Sequence, residues 1–155
     1  MRVIQVGIGG MGNAWLNVVR QSKDVDYAGF VEVSPRVVAE QTAKYGLDPR
    51  LIFASLPDAL NAVQADGIIN VTPPQFHKEV SITALAAGIP VLSEKPLAGT
   101  RDDAQAIVDK ANESGVLHMV AQNYRYHVPI QTLKHVLDSG QVGKIGAVTV
   151  DFFKG

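Results

Sequence analysis

Near-continuous apolar runs alternate with amphipathic stretches along the whole chain. The runs predict strands over residues 2–6, 27–33, 51–53, 67–71, 90–92 and 116–121. Between them, apolar residues at helical spacing predict helices over 10–21, 35–45, 57–63, 76–87, 101–114 and 130–138. Strands that lack polar alternation are covered on both faces, and strands that take turns with helices pair in parallel. The pattern therefore predicts an α/β fold, a doubly wound parallel sheet. Ser34 is placed to cap the second helix ahead of Pro35, and Thr100 to cap the fifth ahead of Asp102 and Asp103.

The pattern changes after Gly140. Residues 146–153 read as a strand of partly alternating polarity with no partner in the sequence that follows. This predicts two domains: a complete sheet domain over 1–127, and the beginning of a truncated second domain over 128–155.

The first strand runs into Gly7-Ile8-Gly9-Gly10-Met11-Gly12 and then into a helix. This strand–turn–helix context suits a dinucleotide site. Gly7 allows a tight turn, Gly9 allows a pyrophosphate to approach the backbone, and Gly12 allows close helix–strand packing. The helix N-terminus offers unpaired N–H groups to the phosphates. Glu32, twenty residues after Gly12 near the end of the second strand, can accept the hydroxyls of an adenosine ribose. Its charge would repel a 2′-phosphate, which favours NAD, whereas the nearby Arg36 keeps NADP as the alternative. By themselves the glycines could be an ordinary tight turn, and Glu32 a solvated carboxylate.

Three further strand ends carry candidate chemistry. Thr72 and Pro73 open a loop that leads to His77, which could meet a cofactor or substrate, or merely support the loop. Glu94 and Lys95 precede Pro96, and the Lys95–Pro96 bond is a candidate cis peptide. A desolvated lysine facing a nicotinamide could move a hydroxyl proton, whereas an exposed Glu–Lys pair would contribute little. Asn123 and Arg125 could bind a polar substrate or hold the two domains together, and for Arg125 an interdomain anchor is at least as good a reading as substrate contact. Tyr124 and Tyr126 read as packing residues. His118, His127 and His135 have no metal-site spacing, so no metal is expected.

Composition narrows the classes. The 155 residues are 46% hydrophobic with a formal net charge of −1 and no cysteine. A core is affordable in length, thiolate chemistry is excluded, and no basic run points to nucleic acid or an anionic membrane. No apolar run is long enough to span a bilayer, and the N-terminus enters the first strand directly, so a cytoplasmic protein is expected.

Together the glycine stretch, Glu32, Val71-Thr72-Pro73 with His77, Glu94-Lys95-Pro96, Arg125 and residues 140–145 resemble the Gfo/Idh/MocA family of NAD(P)-dependent oxidoreductases. The resemblance runs over essentially the whole chain, and Glu-Lys-Pro is its most specific part. Pro74 departs from the family, which often has asparagine there. The resemblance implies an N-terminal Rossmann domain that binds NAD(P), with residues 7–12, Glu32, Thr72, Pro73, His77, Glu94 and Asn123 on the cofactor. It implies that Glu94 helps to position the nicotinamide ribose. Lys95 would be the catalytic or substrate-binding lysine, with Arg125 near the substrate. It also implies a C-terminal α+β domain carrying further catalytic groups, a homo-oligomeric parent, and a sugar or polyol substrate. The expected reaction is hydride transfer, with little turnover from this chain alone; the rival is an NAD(P)-binding sensor without chemistry.

Overall fold

The computed structural model describes residues 1–151. They fall into two compact units, the first over Met1–Ala121 and the second beginning at Gln122.

The first unit is built on six strands: β1 Arg2–Val6, β2 Asp26–Val31, β3 Ile52–Phe53, β4 Gly67–Asn70, β5 Val91–Ser93 and β6 His118–Val120. All pair in parallel, in the order β3-β2-β1-β4-β5-β6. Each crosses to the next through a helix or turn: α1 Gly10–Gln21, α2 Pro35–Tyr45, α3 Leu56–Ala62, α4 His77–Ala86 and α5 Arg101–Ser114. The doubly wound parallel sheet expected from the sequence is the fold observed. The strand sequence turns back at β1, whose neighbours are β2 and β4. Such a reversal opens a crevice at the carboxyl ends of the strands.

Burial explains the apolar runs. Ile4 and Val6 of β1 join Ile68 and Val91 in a core closed by Leu56, Ala59, Val80, Ala84 and Leu85 from α3 and α4. Val3 points the opposite way, towards Val19 of α1 and Ile69. Leu16 of α1 packs with Ile8, Phe30 and Leu47. The caps act as expected: Ser34 accepts from the Val37 N–H at 3.4 Å and Thr100 from the Asp103 N–H at 3.1 Å.

The second unit holds a 3-10 turn, Asn123–Tyr126, followed by α6, Val128–Asp138. Pro129 sits in the first turn of α6, where its missing N–H costs nothing, so this helix starts two residues earlier than expected. Residues 146–151 form no strand, contrary to the expectation. An isolated strand has no neighbour to satisfy its ladder of N–H and C=O groups. Residues 152 and 153 of that expected strand lie outside the described residues.

Candidate functional site

The glycine turn lies where β1 meets α1. Gly7 has φ of +89°, and a Cβ there would stand 2.8 Å from the Val71 carbonyl oxygen. A Cβ on Gly12 would stand 2.3 Å from the Gly7 carbonyl oxygen, well inside contact distance. The fold itself thus demands glycine at both positions. Gly9 is different: a Cβ there would meet only the Val37 methyls, at 3.5 and 3.8 Å. Its bare backbone instead leaves room for something outside the protein to approach. α1 has no side-chain cap and no acid in its first turn, so its leading amides and partial positive charge face the crevice uncompensated.

A buried residue that the sequence reading passed over holds this turn. Gln5 donates through Nε2 to the carbonyls of Gly7 and Gly12, both at 2.9 Å, and accepts from the Tyr27 hydroxyl at 2.6 Å. Burial pushes the Tyr27 phenol well above its ordinary value, against a smaller opposing effect of Arg20, so it remains a donor. The visible signal was a glutamine inside the apolar run of β1.

Glu32 lies just beyond β2. Its Oε2 accepts from the Ile8 N–H at 3.2 Å and its Oε1 from the Ser34 N–H at 3.0 Å. The carboxylate is therefore oriented by backbone groups on both sides of the crevice's edge. Arg36, the candidate partner for a 2′-phosphate, pairs instead with Glu40 at 2.5 Å on the exposed face of α2.

The ends of β4 and β5 form the opposite wall. Buried Asn70 accepts from the Thr72 N–H and hydroxyl at 3.3 and 2.7 Å and donates to the His77 carbonyl at 3.3 Å. His77 is fully buried, and its ring nitrogens lie 2.8 Å from the Pro96 and Thr72 carbonyl oxygens. It thus ties the Thr72 loop to the Lys95 loop, where the Lys95–Pro96 bond is cis. Glu94 accepts from the Trp15 indole N–H at 3.0 Å and from the Lys95 N–H at 3.1 Å. The Lys95 side chain is exposed, so this unit does not supply the desolvation expected for it.

A cleft of about 710 Å³ joins these walls. Gly7, Gly9, Gly10, Met11, Glu32, Thr72, Pro73, Glu94 and Lys95 all line it. Three residues expected on the cofactor, Ile8, Gly12 and His77, do not line the cleft. Ile8 is a core residue whose N–H is taken by Glu32. Gly12 is buried against the carbonyl of Gly7 and serves packing. His77 has both ring nitrogens occupied by backbone and does not reach the cleft. Asn123 and Arg125 belong to the second unit, where both are exposed and the Arg125 guanidinium lies 5.6 Å from the Tyr126 ring. Among the described residues no His, Cys, Asp or Glu cluster could hold a metal ion, and no helix is long and apolar enough to cross a membrane.

Comparison with known proteins gives this cleft a context. Residues 1–122 match the family model GFO_IDH_MocA, described as an oxidoreductase family with an NAD-binding Rossmann fold. The 4-carboxy-2-hydroxymuconate-6-semialdehyde dehydrogenase of Sphingobium sp. is 30% identical over 142 residues, covering 92% of this chain and 44% of that protein. The inositol 2-dehydrogenase of Leifsonia xyli is 38% identical over 105 residues, or 67% of this chain and 30% of that one. The WlbA dehydrogenase of Bordetella pertussis, solved with NADH and UDP-GlcNAcA, superposes with a TM-score of 0.82 at 27% identity, covering 92% of this chain and 43% of its own. The chain spans less than half the length of these relatives. NAD is the cofactor of this domain. The open backbone at Gly9, the uncapped start of α1 and the acceptor oxygens of Glu32 suit its pyrophosphate and its ribose hydroxyls.

Proposed function

We propose that this chain, which belongs to the Gfo/Idh/MocA family of oxidoreductases, is the cofactor-holding part of a dehydrogenase acting on a hydroxyl carbon of a sugar, a polyol or a related compound. Bound in the cleft, the nicotinamide ring supplies the site that gains or loses the hydride. The chain's own residues bind and orient. The leading amides of α1 hold the pyrophosphate, and Glu32 accepts the hydroxyls of the adenosine ribose. Glu32 also disfavours a 2′-phosphate, which leaves NADP the weaker ligand. Glu94 accepts hydroxyls of the second ribose. Lys95 takes or returns the hydroxyl proton of the substrate at Nζ. In the parent, residues from 128 onward begin the substrate domain, and that protein works as a homo-oligomer in the cytoplasm.

The observation that supports this most directly is the placing of Glu94 and Lys95 on the cleft opened by the glycine turn. Among the described residues, Lys95 makes no ion pair that would occupy its ammonium. In the full-length parent, Lys95→Ala is expected to lower turnover about 10²–10⁴-fold while NAD affinity stays within about threefold. Undiminished turnover removes Lys95 from the chemistry. A parent that binds NAD, oxidises nothing and keeps its biological effect after Lys95→Ala is the sensor instead. The 155-residue chain is expected to bind NAD without oxidising inositols or aldoses; oxidation at an enzyme-like rate contradicts its role as a part.

A further inference from the structure

We infer that Trp15 is a positioning residue for the cofactor: its indole N–H fixes the Glu94 carboxylate that receives the ribose on the nicotinamide side. The inference rests on the proposed role of Glu94 and adds what gives that carboxylate its orientation.

Trp15 lies on α1, half-buried, with its ring packed on the Val3, Val19 and Ile69 group. Its own carbonyl lies 3.2 Å from the Tyr27 hydroxyl. The apolar packing holds the indole before it meets Glu94, while the Tyr27 hydroxyl lies beside the backbone of the same residue. Nε1 then donates to Glu94 Oε1 at 3.0 Å, across 79 residues of sequence. Among the described residues, the second oxygen, Oε2, takes only the Lys95 N–H at 3.1 Å.

The nature of these donors matters. Neither the indole nor the amide carries charge, and among the described residues no Lys, Arg or His forms an ion pair with Glu94. Glu94 is oriented without being neutralised. A carboxylate offers about four acceptor positions, and two neutral donors leave the rest for incoming hydroxyls. A guanidinium at the same place would occupy those positions in a bidentate pair. The arrangement suits a neutral diol that brings only hydrogen-bond donors.

It also links two parts of the cleft through one rigid element. The first turn of α1 faces the crevice with free amides, and Trp15 lies five residues after Gly10 on the same helix. At the usual rise this is roughly 7.5 Å along the axis. The helix therefore sets the spacing between the phosphate site and the acceptor for the second ribose.

Calorimetric titration of the 155-residue chain with NAD, ADP-ribose and ADP tests this, because ADP stops at the pyrophosphate and lacks the second ribose. Trp15→Phe keeps a packed ring and removes the donor. It should weaken NAD and ADP-ribose by about three- to tenfold and leave ADP within about twofold. Equal weakening of all three ligands assigns Trp15 to packing alone and overturns the inference, as does no weakening at all. Glu94→Ala separates the underlying reading. If it leaves the preference for ADP-ribose over ADP intact, Glu94 does not meet the ribose, and no role remains for Trp15 in holding it. If Glu94→Ala abolishes that preference while Trp15→Phe preserves it, the role of Glu94 stands and the inference alone fails. A second measurement needs no variant. Trp15 is the single tryptophan, so its indole N–H gives one resonance, which should shift with NAD and ADP-ribose and stay in place with ADP. A resonance indifferent to ADP-ribose, or moved equally by ADP, refutes the proposal.

Discussion

Replacing Gln5 by leucine tests whether one buried amide holds the glycine turn. Gln5 is fully buried, and its side chain serves three groups: the carbonyls of Gly7 and Gly12 and the hydroxyl of Tyr27. Leucine fills a similar volume, so cavity formation contributes little and the polar losses dominate. Each buried group left without a partner costs about 1–3 kcal/mol. The Gly12 contact is buried and bears this in full, whereas the Gly7 contact is only part-buried. Tyr27 keeps the Trp15 carbonyl at 3.2 Å as an alternative acceptor. Added apolar burial offsets part of the loss, leaving a net destabilisation of about 2–4 kcal/mol. Urea unfolding should show this as a lower midpoint at unchanged slope. Tyr27→Phe removes one of the same bonds and should cost about 1 kcal/mol. Because the two residues share a hydrogen bond, their effects should fall short of additivity in the double variant. NAD affinity of Gln5→Leu should also drop, because the carbonyls that fix the turn lose their donor. A Gln5→Leu chain within about 0.5 kcal/mol of the parent stability, or strict additivity with Tyr27→Phe, refutes the reasoning.

The glycines predict a contrast. At Gly12 the new methyl would stand 2.3 Å from a backbone oxygen, so Gly12→Ala should destabilise the chain by about 2–4 kcal/mol in urea titrations. At Gly9 the nearest protein atom is 3.5 Å away, so Gly9→Ala should keep stability within about 1 kcal/mol and still weaken NAD at least about tenfold by calorimetry; similar behaviour of the two variants contradicts the division of roles. His118 is held below its ordinary value of 6.5, by burial first and then by His77. The unfolded chain therefore binds the proton more readily. The resulting loss of stability sets in as pH falls below about 6.5 and is complete below the folded value. His118→Gln should flatten that part of the stability–pH curve, and an unchanged curve excludes this source.

Much of the fold was legible because each element leaves a local mark. The apolar runs located six strands, and Ser34, Pro35 and Thr100 marked helix starts that the structure keeps. Side-chain direction leaves no such mark. His77 sits at the end of a cleft loop, but only the fold shows its ring turned inward onto two carbonyls. Ile8 lies within the glycine stretch, yet its amide is already engaged by Glu32. Trp15 escaped the reading because it acts on a carboxylate 79 residues away; Gln5 and Asn70 escaped it because local partners of theirs, two to seven residues on, come within reach only through the folded turns. Residues 146–151, the described part of an expected strand, show the limit of pattern alone, since apolar alternation forms a strand only where a neighbour completes its hydrogen bonds.

The two amides that orient Glu32 carry a consequence for changing coenzyme preference by design. Removing the carboxylate to admit a 2′-phosphate would also release the Ile8 and Ser34 N–H groups. One of these belongs to the glycine turn and the other to the cap of α2. On the proposed role of Glu32, selectivity and architecture are coupled through a single side chain. A successful redesign must supply new acceptors for both amides as well as a cation for the phosphate. Glutamine retains one oxygen for that purpose and is the gentler first substitution; a short side chain retains none.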